Sequence, residues 1–178
     1  QAIEVESLPG GFSGVYAVLA GMEELGEVRR GYFVEGIGGA QFAFPGAVDR
    51  LRGMRHREDA QCILLSAADP ANPYGWIVPW PETRGRTPRR VSGATLVLVA
   101  GEPALYLEKG GKILVSFAID EGLMDQALAA LCEQLVSKKS RRIEEIDGEP
   151  ALRSPLSTKL RALGATYDHK GLILERRL

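Results

Sequence analysis

The sequence predicts an α+β fold in three parts, residues 1–60, 61–119 and 120–178, and three observations predict it. An apolar stripe at helical spacing runs from Val15 to Leu25 and gives way at once to two short runs rich in Val, Tyr and Phe around a glycine turn. Three more apolar runs between Ala94 and Ala118 are separated by short glycine turns, as consecutive antiparallel hairpins require. A second stripe, Met124, Leu128, Leu131 and Leu135, then returns the chain to helix.

In the first part, Val15, Val18, Leu19, Met22 and Leu25 share one helical face, with Ser13 placed to cap the start and Gly26 to end it. Val28 to Val34 and Ala40 to Phe44 flank the turn Glu35-Gly36-Ile37-Gly38-Gly39 as a hairpin. A helix followed by a basic, aromatic hairpin is the helix-plus-wing half of a winged-helix domain. Twelve residues precede Ser13, too few for the remaining helices, so the domain is expected to begin upstream of residue 1. Pro45 opens a closing helix, Gly46 to about Arg57, with Val48, Leu51 and Met54 on one face.

The second part opens with a strand, Cys62 to Ser66. Residues 69–90 hold Pro70, Pro73, Pro79, Pro81 and Pro88 among Tyr74, Trp76 and Trp80, and read as a long loop, functional or packed over the end of a barrel. The strands Ala94 to Ala100, Ala104 to Lys109 and Lys112 to Ala118 form a meander, expected as a small antiparallel β-barrel or a strongly curved sheet. The third part packs on it: Asp120 caps the helix of the second stripe, Arg142 to Ile146 is a strand, Ser154 and Pro155 start a short helix that Gly164 stops, and Leu172 to Glu175 ends the chain as a strand.

With 45% hydrophobic and 25% charged residues the chain has a globular composition, and its net charge of −1 means that nucleic-acid binding would rest on local clusters. Cys62 and Cys132 sit in apolar runs as expected buried thiols, and with only His56 and His169 no zinc spacing occurs, so no metal is predicted. No phosphate-binding loop, nucleophile elbow, signal peptide or membrane-length apolar run is present, and the expected place of work is the cytoplasm, near the nucleoid.

Several multi-residue motifs stand in one order along the chain. They are Pro9-Gly10-Gly11-Phe12-Ser13, Val15-Tyr16, Met22-Glu23-Glu24, Arg29 through Gly36, and Ala40-Gln41-Phe42. Ala68-Asp69-Pro70-Ala71-Asn72-Pro73-Tyr74-Gly75, Pro79-Trp80-Pro81, Asp147-Gly148-Glu149-Pro150 and Ser154-Pro155-Leu156 follow. In these motifs the chain resembles the C-terminal region of the bacterial large helicase-related proteins (Lhr), superfamily 2 DNA helicases. The resemblance implies an accessory DNA-binding portion of an ATP-dependent repair helicase without its motor. No cofactor is then expected here, because ATP and Mg would belong to the motor domains. The implied partners are single-stranded or damaged DNA, other domains of the parent, and a sibling copy. The resemblance also implies a link to uracil-DNA glycosylase activity, with distant similarity to AlkZ-type winged-helix glycosylases.

The residues offer chemistry for each reading. Arg29 and Arg30 beside Tyr32 and Phe33, and Arg84, Arg86, Arg89 and Arg90 near Trp76 and Trp80, combine phosphate-binding charge with planes on which a base stacks. Lys138, Lys139, Arg141 and Arg142 form a third basic group. Phe12, Ser13 and Gly14 in the first helical turn offer no base-reading side chain, which points away from sequence-specific binding. For excision of a base, the candidate carboxylates are Asp168, between Tyr167 and His169, then Asp69 and Asp147, both in turn-forming contexts. A third reading is a protein assembly platform, in which the stripe of residues 124–135 and the aromatic loop dock onto another subunit or domain.

Overall fold

The structure, a computed structural model, describes residues 9–54, 61–136 and 140–175, which divide between two compact units. The first comprises Gln1–Glu58 with Trp76–Pro79, the second Asp59–Gly75 with Trp80–Leu178. Apart from Trp76–Pro79, the segments 61–119 and 120–178 therefore share one unit.

In the first unit, α1 (Gly11–Glu24) precedes the hairpin β1 (Arg29–Gly31) and β2 (Gln41–Ala43), and α2 (Pro45–Met54) follows. The helix begins two residues before Ser13, from a left-handed Gly10 with φ 81°, and no side chain caps it. Its end is a Schellman turn: left-handed Gly26 donates its N–H to Glu23 O at 3.0 Å, and Glu27 donates to Met22 O at 2.9 Å. The hairpin is antiparallel, with Arg30 opposite Phe42 and Gly31 opposite Gln41. Tyr16 meets Phe12 and Phe42 at ring separations of 5.6 and 5.9 Å, so aromatic contacts tie the helix to the wing.

The second unit is built on an open, mixed six-stranded sheet. Its strands are β3 (Cys62–Ser66), β4 (Thr95–Val99), β5 (Glu102–Leu107), β6 (Ile113–Ser116), β8 (Glu145–Ile146) and β9 (Glu149–Pro150), in that spatial order. The pairs are antiparallel except β6 with β8, which is parallel. A smaller antiparallel sheet orders β10 (Thr166–Asp168), β11 (Gly171–Leu174) and β7 (Arg141–Ile143). Helix α3 (Glu121–Val136) follows β6, and α4 (Leu156–Ala162) follows a 3-10 turn at Ala151–Arg153.

The expected barrel is not formed, since β3 and β9 are separate edges of the large sheet. Alternation along the central strands gives the reason. Val97, Val99, Leu105, Leu107 and Leu114 join Leu128 and Leu131 of α3 in one core, while Leu96, Leu98, Tyr106, Val115 and Phe117 form a second with Tyr74, Trp80 and Val91 of the aromatic loop. One face is covered by α3 and the other by irregular chain, so both are buried without closure, and the strands read as continuous apolar runs. The stripe Met124, Leu128, Leu131 and Leu135 is buried in this unit's own core, which corrects the expectation that it docks onto another protein. Burying each leucine contributes roughly 1.5–3 kcal/mol.

Candidate nucleic-acid interface

On the wing, nine residues separate Gly31 from Gln41, and the Gln41 side chain holds their loop in place. Its Oε1 accepts the N–H groups of Phe33 and Val34 at 2.9 and 2.8 Å, and its Nε2 donates to the carbonyls of Val34 and Ile37 at 3.0 and 2.9 Å. Arg29 is exposed, and Tyr32 has 93% of its surface free. Arg30 of β1, though exposed, is engaged by α1, donating to Tyr16 Oη at 2.9 Å and pairing with Glu23 at 3.0 Å. Phe33 lines an apolar cavity of about 440 Å³ with Phe12, Leu19, Met22, Phe42 and Ile77.

The loop of the second unit is ordered by groups that periodicity does not reveal. Asn72 is fully buried; its Nδ2 donates to Ala67 O at 2.8 Å and its Oδ1 accepts Tyr74 N–H at 3.0 Å. Arg90 donates to the carbonyls of Asp69 and Tyr74 at 3.0 and 3.2 Å and to that of Asn72, so its charge is spent on main chain inside the loop. Trp80 stacks on Tyr74 and Phe117, each at 6.1 Å, and meets Tyr106 edge-on at 6.2 Å. A Cβ on left-handed Gly75 would fall inside the indole of Trp80, which is why that motif carries glycine. Trp76, 41% exposed, belongs to the first unit. Arg86 pairs with Glu145 at 3.3 Å, while Arg84 and Arg89 are exposed.

Of the third basic group, Lys138 and Lys139 lie outside the described residues. Arg142 on β7 pairs at 2.6 Å with Asp168 on β10, the two outer strands of the small sheet. Asp168 also accepts the N–H groups of Lys170 and Gly171 at 2.8 and 3.1 Å. The Lys170 N–H foremost, then the Arg142 charge, hold its carboxyl below the usual aspartate value. Beside it, the Arg161 guanidinium lies 4.7 Å from the centre of the exposed Tyr167 ring.

The other two acids differ in setting. Asp69 accepts the N–H of Ala71 at 2.8 Å, the local turn that the sequence suggests. Asp147 is in a left-handed conformation, φ 54°, at the turn between β8 and β9, and its carboxylate reaches the end of β6. There Ser116 donates its N–H to Oδ1 at 2.6 Å and its hydroxyl to Oδ2 at 2.7 Å. Asp147 and Ser116 line a cavity of about 320 Å³ together with Arg84, Phe117, Ser154 and Lys159. A Cβ on Gly85 would stand 2.9 Å from the Asp147 Cα, so glycine permits the loop to approach this turn and carries Arg84 to the cavity. Lys159 is bracketed by Asp125 at 2.7 Å and Glu121 at 2.8 Å, and these two bonds raise its pKa.

Among the described residues no cluster of His, Cys, Asp and Glu is placed to hold a metal, and no helix is long and apolar enough to cross a membrane. The sequence signals for Gln41, Asn72 and Ser116 are weak, because Gln41 and Asn72 hold main chain of their own irregular loops and Ser116 meets the Asp147 carboxylate from a distant part of the sequence.

A family model described as the winged-helix domain of the large helicase-related protein matches residues 1–63. A Mycolicibacterium smegmatis protein named as Lhr helicase and probable uracil glycosylase is 40% identical over 188 residues. An Escherichia coli protein named as Lhr helicase and uracil glycosylase is 37% identical over 183 residues. Each alignment covers 97% of this chain, and the chain spans about 12% of the length of these curated relatives, within their C-terminal region. With its motifs, its helix and wing, and this identity along almost its whole length, the chain belongs to the large helicase-related protein (Lhr) family.

Proposed function

We propose that the chain is an accessory DNA-binding portion of an Lhr-type ATP-dependent helicase, acting on single strands by charge and stacking. The observation that carries this reading is the wing: a Tyr32 ring 93% exposed, with exposed Arg29 on the same hairpin, on a loop fixed by four hydrogen bonds to one glutamine. An exposed ring on an ordered loop has little function in folding and is suited to stacking on an unpaired base. In the second unit, Arg84 and Arg89 are the loop arginines placed to meet phosphate, because Arg90 and Arg86 are engaged within the unit.

Titration of a labelled single strand at several salt concentrations tests this. Tyr32→Ala should weaken binding by roughly 1–3 kcal/mol without changing the salt slope. Arg84→Ala with Arg89→Ala should flatten the slope by about 1.4, two phosphates on a single strand. Unchanged binding in both variants would refute the reading. The names of the two relatives favour a second reading, excision of uracil from DNA, with Asp69, Asp147 and Asp168 as candidate carboxylates. No release of free uracil from a uracil-containing single strand by the chain would dismiss it.

A further inference from the structure

We propose that the second unit carries its own stacking platform for a single strand, in which an unpaired base lies on Tyr167 and the flanking phosphate meets Lys170. The inference rests on the DNA-binding reading and adds to it a site in the second unit.

The platform is built on a hairpin with a fixed tip. Helix α4 leads into the antiparallel pair β10 and β11, the same order of helix and hairpin as α1, β1 and β2. Between the paired residues Asp168 and Gly171 the connection is the two-residue turn His169-Lys170. Asp168 Oδ1 accepts the N–H groups of Lys170 and Gly171 at 2.8 and 3.1 Å, and its Oδ2 meets Arg142 at 2.6 Å. One side chain thus sets the turn, and its charge is matched inside the sheet, so a phosphate at the tip meets little repulsion.

Tyr167 stands where the core of the small sheet runs out. It pairs with Leu172, which pairs in turn with Ile143, so the three side chains share one face. Leu172 and Ile143 have no exposed surface, whereas Tyr167, on the edge strand, is 58% exposed. Packing therefore uses less than half of it. The Arg161 guanidinium lies over one face, 4.7 Å from the ring centre, and orients the ring by a cation–π contact. A base on the face that Arg161 leaves uncovered completes a stack of guanidinium, phenol and base.

The surrounding charge selects the occupant. Arg161, His169 and Lys170 are exposed, and Arg161 and Lys170 form no ion pair among the described residues. Lys159, on the same helix as Arg161, is instead held by Glu121 and Asp125. An apolar protein surface laid here would strip water from these cations and offer no counter-charge. A strand of phosphates and flat bases satisfies the cations and the ring together.

The test is binding of labelled oligo-dT to the chain at several salt concentrations. Tyr167→Ala is expected to weaken binding about tenfold with the salt slope unchanged, and Tyr167→Phe, which keeps the ring, to bind as the unaltered chain does. Lys170→Ala should flatten the slope by about 0.7, one phosphate on a single strand, and an unchanged slope overturns the phosphate contact. Unaltered affinity in Tyr167→Ala overturns the platform, and a loss in Tyr32→Ala alongside it leaves the DNA-binding reading standing. No binding by the unaltered chain overturns both. Because Tyr167 also packs on the sheet, photocrosslinking of the unaltered chain to a strand carrying 5-iododeoxyuridine, which couples to stacked aromatic rings, gives an answer independent of any variant's folding. A crosslink at Tyr167 supports the platform, and crosslinks confined to other residues overturn it.

Discussion

Helices α1 and α3 both carry an apolar face, yet they meet opposite fates. Leu128 and Leu131 of α3 have no exposed surface, while in α1 no residue is buried, Val18 is 64% exposed, and the neighbouring Leu25 is 76% exposed. Among the described residues of the first unit, Val28 is the one buried apolar side chain. The contrast shows that hydrophobic periodicity names a face but not its partner. In the second unit a sheet, a helix and a loop supply two layers of cover. The first has a two-stranded hairpin, which by itself has little surface to offer. Stability in the second unit is therefore global, and in the first local.

Four variants would sharpen or break this contrast, and removal of the largest ring has the largest expected effect. Trp80→Ala should destabilise the second unit by about 3 kcal/mol or more, because Tyr74, Tyr106 and Phe117 all lose a ring contact. Trp76→Ala should leave the urea midpoint of that unit in place. Leu131→Ala should cost about 2–5 kcal/mol by the same measurement, whereas Val18→Ala should fall within about 0.5 kcal/mol. Equal costs for Leu131 and Val18 would mean that α1 is buried in solution.

A smaller effect is expected on the wing. Gln41→Ala removes four hydrogen bonds, but water reaches most of these groups, so local opening should ease by about 1–2 kcal/mol. Faster amide exchange at Phe33 and Val34, with the second unit unchanged, is the signature. The smallest effect concerns pH. The carboxyl of Asp168 is held below its ordinary value in the folded state, so its contribution is fully present above the unfolded aspartate pKa and is lost as pH falls through the lowered one. Asp168→Asn should remove that part of the slope in an acid titration of stability, below about pH 4.

How much of this was legible in the sequence varies with the range of the interaction. Strand β3 is read from Cys62 to Ser66 without error, because an apolar run between polar neighbours is a local signal. The stripe of α3 is equally local. Strand β10 escapes notice because Thr166, Tyr167 and Asp168 have no apolar alternation, and pairing with Leu172 makes it a strand. The parallel partnership of β6 with β8 is invisible for the same reason, and with it the open sheet. At the candidate sites, residue type put forward Tyr32 and Arg29 as candidates, and the fold leaves both exposed. It could not separate Arg84 from Arg90, whose difference lies in three carbonyls supplied by the fold. Nor could it show that, of three aspartates, Asp147 reaches a cavity.

The irregular chain that covers one face of the large sheet is anchored repeatedly: Asn72 is buried, Trp80 is stacked, Pro88 is buried, and the Arg89 carbonyl accepts the Tyr106 hydroxyl at 3.0 Å. Its conformational entropy is lost when the unit folds. A ligand that meets Arg84 or Arg89 therefore meets guanidinium groups on a backbone already set, and the ordering penalty of a flexible arginine-rich arm is absent from the association.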